Sequence, residues 1–543
     1  MRPRSLAVPF VLALACGEAS EPPGKEAGAA CASVSECRPG LVCFERACAA
    51  SYLASPGCSL AGSPRVEVGS PVQLPEPPQG ACVTPIRLPQ PPEGFVDLHE
   101  LRVGTQATVE VPPGTASLSL FSQEVNGSAV NAIEYEGFRL PNSVVPTDVR
   151  LPDGALFFSD TAPYPVDAAG YSDVTGVLAY YAGFTPVSGT FTVPNTAAGL
   201  DLVRTAGEMP PGTWRFTVND WALECLSIDG CSGGSDAATY RVHALARPGP
   251  FASTGTLDLE VYLATDPQGP LPDAPTAAAH PQVARWVRAL SAYLANAGIC
   301  LGTVTFRDLP AWAKERHAPL GVVNVSDGAV REPGCDDLSQ LFTVGVAPSR
   351  AVHLFIADEL FDPASGSLGT TLGVDGSIPG PSGLPGTIHG GAIFGLLDFL
   401  GFESVPGACR SSTSPSAACG TDVLAYVAAH EAGHWLGLYH TTEWHGTTFD
   451  PLADTGTCPC ARCALPGDRP FCAEGGASDP APVAAGSCDG PEGPLAEVVA
   501  RAAPTIECRG ASNLMFWQFD PDRAEGRLSR EQGEVMRLNP AVR

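Results

Sequence analysis

The chain has 543 residues, 44% of them hydrophobic, and a formal net charge of −27. That length and apolar content support several domains with real cores. The acidic excess excludes partners that need a basic surface: nucleic acid, and anionic lipid bound by charge alone.

Arg2 and Arg4 precede an apolar run, Leu6 to Ala15, too short to span a bilayer. Residues 1–15 read as an export signal. They run into Leu12-Ala13-Leu14-Ala15-Cys16, which resembles a bacterial lipobox. The resemblance implies that Cys16 becomes the lipidated first residue; an ordinary secretory signal is the alternative. Nineteen cysteines occur in the chain. With Cys16 set aside an even number remains, which suits a fully paired disulfide set in an oxidising compartment. No other stretch is apolar enough to cross a membrane, so the expected membrane contact is the N-terminal lipid anchor only. The expected location is the bacterial cell envelope, as an outer-membrane lipoprotein, or the extracellular space.

Residues 31–48 form a cysteine-rich module, Cys31-x5-Cys37-x5-Cys43-x4-Cys48. It has too few apolar residues for a core and needs disulfides to hold it. Residues 59–95 are rich in Pro and Gly and read as a linker, within which Cys58 and Cys82 can pair. Residues 96–250 alternate with period two, as in Ala116 to Phe121, Val174 to Tyr181, Thr190 to Val193 and Thr213 to Val218. Pro112-Pro113-Gly114 and Pro210-Pro211-Gly212 each lead into a strand. This predicts an all-β sandwich, weakly similar to the jelly-roll accessory domains of secreted peptidases. Cys225 and Cys231 are expected to close one of its loops.

From Thr256 the rhythm changes, and residues 255–543 read as an α+β domain. Leu257, Leu259, Val261 and Leu263 mark a strand, Val283, Val287, Leu290 and Leu294 a helix ending near Gly298, and Val352 to Ala357 another strand. Val423, Tyr426 and Val427 begin a helix that Thr421 or Asp422 can cap. A closing helix starts at Ser529, with Gln532 completing a capping box, and stops before Pro540.

The helix that begins near Val423 carries the chemistry: His430-Glu431-Ala432-Gly433-His434-Trp435-Leu436-Gly437-Leu438-Tyr439-His440. Histidines four apart share one helix face and can reach one metal ion. Gly437 permits a turn that a Cβ would oppose, and the turn returns His440 as a third ligand. Three nitrogens and one open position describe a catalytic zinc site. Glu431, one residue after the first ligand, can act on the water as general base. Chance would produce the five fixed positions in roughly two chains in a hundred thousand.

The motif resembles that of the metzincin zinc metallopeptidases, whose second signature is a methionine turn under the metal; Ser512-Asn513-Leu514-Met515-Phe516-Trp517 matches it. The pappalysin-type group is the most similar, by the residues around His430 to His440, by Asp450-Pro-Leu-Ala-Asp454-Thr455, and by an Asn two positions before the Met. The position two after the Met, often Tyr in that group, is Trp517, which has no phenolic hydroxyl. The resemblance implies a metzincin-type fold over residues 255–543, Met515 as a structural floor, and protein or peptide substrates. It also implies an edge strand near Gly386 to Ala392 for pairing with extended substrate. Asp450 and Asp454 are offered as calcium ligands, with ordinary loop carboxylates as the alternative.

His445 has the wrong offset for a ligand and reads as a loop residue. His389 reads as an edge-strand surface residue, with substrate contact as the alternative. Cys458, Cys460, Cys463, Cys472, Cys488 and Cys508 read as disulfide staples rather than a second metal site. The expected function is a secreted or surface-anchored metalloendopeptidase. The rival is a surface adhesion or binding lipoprotein with an inactive peptidase fold, against which the intact Glu431 argues.

Overall fold

The structure is a computed structural model. It describes chiefly residues 64–76, 95–124, 144–158, 191–220, 239–317, 337–362, 390–442, 450–456 and 513–543, with short breaks within them, and a few shorter pieces. One such piece is a hairpin, Leu41–Phe44 with Ala47–Ala50, in which Cys43 and Cys48 stand opposite each other. Cys16, Cys31, Cys37, Cys58, Cys82, Cys225, Cys231, the strand expected at 174–181, and the cysteines from Cys458 to Cys508 lie outside the described residues. Among the described residues no helix is long and apolar enough to cross a membrane.

β1 is Arg65–Val68. Eight strands with period-two patterns then build two antiparallel sheets. They are β2 (Phe95–Arg102), β3 (Gln106–Val111), β4 (Thr115–Glu124), β5 (Val144–Arg150), β6 (Leu156–Phe158), β7 (Phe191–Val193), β8 (Gly212–Asp220) and β9 (Thr239–Pro248). One sheet has the order β6-β5-β8-β3 and the other β7-β4-β9-β2. Val109, Phe157, Trp214 and Phe216 from the first sheet share one core with Leu118, Leu120, Val193 and Val242 from the second. Alternation supplies this: β3 buries every second residue, as a strand with one covered face must. Between β7 and β8 the chain forms a helix, α1 (Ala197–Ala206), capped by Thr196 and ended by Gly207 at φ 78°.

The second half is built on a six-stranded sheet. Its further strands are β10 (Gly255–Ala264), β11 (Ile299–Asp308), β12 (Val352–Ala357), β13 (Gly373–Asp375) and β14 (Ala392–Phe394). The order is β13-β14-β12-β10-β11-β1. All neighbours run parallel except β13, which is antiparallel to β14. Both faces are covered, so the central strands are apolar on both sides. Leu257, Leu259, Val261 and Leu263 of β10 enter one core, and Tyr262 and Ala264 enter another. α2 (Pro281–Ala295) and α3 (Gly420–Trp435) lie on the first of these faces. They carry buried Val283, Trp286, Val287 and Leu290, and buried Leu424, Ala425 and Ala428, respectively. Trp286 stacks on Phe394 of β14 with centroids 5.7 Å apart. α4 (Arg530–Leu538) closes the chain and has the expected capping box between Ser529 and Gln532.

Three expectations are corrected. Part of the 59–95 segment is not a linker: β1 extends the six-stranded sheet, and Val72 is buried in its core. Four residues between prolines give too short a pattern to read, and backbone pairing to β11 supplies what the side chains do not. The segment 386–392, expected as an edge strand, reaches an internal strand at Ala392, and residues 387–389 lie outside the described residues. Ala392–Phe394 pairs on both sides, and the antiparallel edge is β13. Finally, neither Thr421 nor Asp422 caps α3; the N-cap is Cys419, with no side-chain cap bond. A disulfide to Cys409 fixes Cys419 instead.

Candidate metal centre

α3 delivers His430 and His434 on one face, four residues apart. The helix ends at Trp435, and Gly437 follows at φ 111°, a conformation that favours glycine. Gly437 N–H donates to His434 O at 2.9 Å and Leu438 N–H to Gly433 O at 3.0 Å, closing the turn that brings His440 back. The three Nε2 atoms converge, with separations of 3.1 Å (His430–His434), 3.2 Å (His430–His440) and 3.0 Å (His434–His440).

The donor set shows what this cluster can hold. His430 Nδ1 lies 2.6 Å from Leu514 O, and His434 Nδ1 lies 2.8 Å from Leu438 O. A carbonyl only accepts, so each Nδ1 must carry the proton and each Nε2 must present a lone pair. Burial pushes His430 down to about 3 and His434 well below its usual value, so both are neutral near pH 7. Lone pairs crowded this closely repel unless a cation lies among them. Tetrahedral zinc with bonds of about 2.0 Å separates its ligands by roughly 3.3 Å, close to the spacings found. Among the described residues, these histidines form the one group of three or more His, Cys, Asp or Glu side chains that could hold a metal ion. The three histidines could therefore hold a metal ion.

The turn under the cluster is tied in from several directions. Met515 is fully buried, and a Cβ on Gly433 would run into its Sδ, so glycine there lets the methionine pack directly beneath the helix. Met515 O accepts from Thr441 N–H at 2.9 Å, one residue past His440. Asn513 Oδ1 accepts from Met515 N–H at 2.8 Å, and Asn513 Nδ2 donates to Gln532 Oε1 at 2.8 Å. Tyr426 on α3 donates to Asn513 O at 3.2 Å. Glu431 is buried and points at the edge strand. A Cβ on Gly373 of β13 would overlap its carboxylate, so glycine leaves room for it. Compared with known proteins, the chain matches no family model and no curated protein.

Asp450 and Asp454 lie apart from the histidines, in a buried acidic group at the start of α4. Asp450 accepts from Thr455 Oγ1, and Asp454 Oδ2 accepts from Glu531 N–H at 2.9 Å. Burial raises Asp450 well above the usual carboxylate range. It raises Asp454 to about 7, with Glu531 adding to the effect. His389 and His445 lie outside the described residues. Sequence reasoning missed Gly373, the bond from Tyr426 to Asn513 O, and the carbonyls of Leu514 and Leu438. It also missed Arg285 of α2, whose Nε and Nη2 hold both oxygens of fully buried Asp422 on α3 at 2.9 and 2.5 Å. Backbone acceptors carry no sequence signal. Arg285 gave no clue either, since its neighbours three residues away on α2 are the polar Gln282 and Arg288.

Proposed function

We propose that the protein is a zinc-dependent metalloendopeptidase of metzincin type, carried on the bacterial surface through lipid on Cys16, that hydrolyses peptide bonds of extracellular proteins. One observation carries this: three imidazole Nε2 atoms converge, two of them from the helix that also carries the buried Glu431 carboxylate. Zinc, when bound, supplies a Lewis acid that polarises a carbonyl and lowers the pKa of a water. The chain does the rest. The bonds to Leu514 O and Leu438 O fix the tautomers and orientations of His430 and His434. Glu431, confined between α3 and Gly373, takes a proton onto its carboxylate and passes it to the leaving amine nitrogen. Among the described residues β13 is paired on one side only, so its other side can add an extended peptide by main-chain hydrogen bonds.

The test is casein digestion by wild type and Glu431→Gln. The glutamine keeps shape but cannot accept the proton. Hydrolysis should fall by about 10²–10⁴-fold, with zinc content and melting near wild type. Undiminished digestion would remove Glu431 from the mechanism. A wild-type protein that binds zinc and digests nothing would favour the binding lipoprotein.

A further inference from the structure

The β-sandwich and the six-stranded half meet through α1. On this one helix, Leu200 is buried in the core that includes α2 and α3, and Val203 is buried in the sandwich core. The helix start is also tied across, Ala197 N–H donating to Pro451 O at 3.0 Å. From its last turn Arg204 reaches α4. Nε donates to Glu534 Oε2 at 2.9 Å, Nη2 to the same oxygen at 2.5 Å, and Nη1 to Glu531 Oε1 at 3.1 Å. Nη1 also donates to Asp201 Oδ1 at 2.8 Å. Glu531 and Glu534 are both buried, so this guanidinium provides charge that their burial demands.

The contacts continue from there to the metal ligands. Glu531 Oε2 accepts from Ala453 N–H at 2.7 Å, and its own N–H donates to Asp454 Oδ2. The next residue, Gln532, accepts from Ser529 N–H and from Asn513 Nδ2, both at 2.8 Å. Asn513 holds Met515 N–H, and the carbonyl between them, Leu514 O, aims His430. Arg204 thus stands at the far end of a path of hydrogen bonds and adjoining backbone whose near end orients a metal ligand.

We propose that the sandwich is part of the scaffold of the metal centre, and that Arg204 is a positioning residue for it, acting through Glu531, Glu534 and the turn at Asn513–Met515. This rests on the reading that His430, His434 and His440 hold zinc. Residues that orient ligands from behind typically change metal affinity 10–100-fold when removed.

The experiment uses the full chain, well below its melting temperature, with Arg204→Met, Arg204→Lys and Glu534→Gln. Zinc affinity is read by competition with a chromophoric chelator, and ligand geometry by the visible absorption of the cobalt-substituted protein. Arg204→Met should bind zinc 10–100-fold more weakly and shift the cobalt bands. Arg204→Lys keeps the charge but not the fork, and should recover part of the loss. Wild-type affinity and an unchanged cobalt spectrum in Arg204→Met would overturn the proposal. Should that variant not fold, the same result in both Arg204→Lys and Glu534→Gln would overturn it. A wild-type chain that binds no zinc overturns the functional reading as well. Zinc in the wild type with unchanged affinity in the variants overturns this proposal alone.

Discussion

Two polar clusters connect to the Asn513–Met515 turn, one of buried carboxylates and one of partly buried histidines, and they are satisfied in different ways. In the acidic cluster Arg204 from α1 pairs with Glu531 and Glu534, and Arg530 with Glu534, while burial holds the Asp450 and Asp454 carboxyls above their usual range. The histidine cluster directs its Nδ1 protons at carbonyls and turns its lone pairs inward. The first draws cations from the protein for Glu531 and Glu534. The second brings three Nε2 atoms together, two of them presenting lone pairs, which is what a cation-binding site looks like from the ligand side. A buried charge with its partner is therefore weak evidence of function, whereas converging lone pairs are strong evidence.

Variants at the carboxylates sharpen the contrast. The largest effect is expected at another pair, Arg285 with Asp422. Arg285→Met leaves the Asp422 carboxylate buried with its guanidinium partner gone, which typically costs about 3–5 kcal/mol. Chemical denaturation should show that loss in the metal-free protein as well as with zinc. A change below about 1 kcal/mol would mean that the pair is solvated, as surface pairs are.

A smaller effect is expected from Asp454→Asn. Burial, with Glu531 and Glu534 nearby, raises the folded Asp454 carboxyl from its ordinary 3.8 to about 7. Between those values the folded state binds more protons than the unfolded state, so this group lowers stability as pH rises through the window and has no further effect above it. Removing the charge should flatten the fall in Tm between about pH 4 and 7 and raise stability at pH 8. An unchanged pH profile would mean that Asp454 titrates normally.

Much of the site was legible because its signal is local. His430, His434, Gly437 and His440 lie within one helix and one turn, where spacing dictates geometry. The same holds for the capping box of Ser529 and Gln532 and for the apolar strand at Val352–Ala357. What could not be read joins distant segments. Leu514 O is 84 residues from His430, Asp422 is 137 from Arg285, and Glu534 is 330 from Arg204. None of these pairs has a periodicity to betray it. β1 escaped for a different reason: it is held by backbone pairing to a sheet edge, and its Val66 and Val68 remain exposed.

The central claim is that the three imidazoles hold one zinc, and direct metal analysis of purified wild-type protein beside His440→Ala tests it. One zinc per wild-type chain is expected. His440→Ala should retain little or none after dialysis, because two nitrogens four apart do not make the three-ligand site that catalytic zinc requires. A wild-type chain without metal, or a His440→Ala variant with undiminished zinc, would contradict the account.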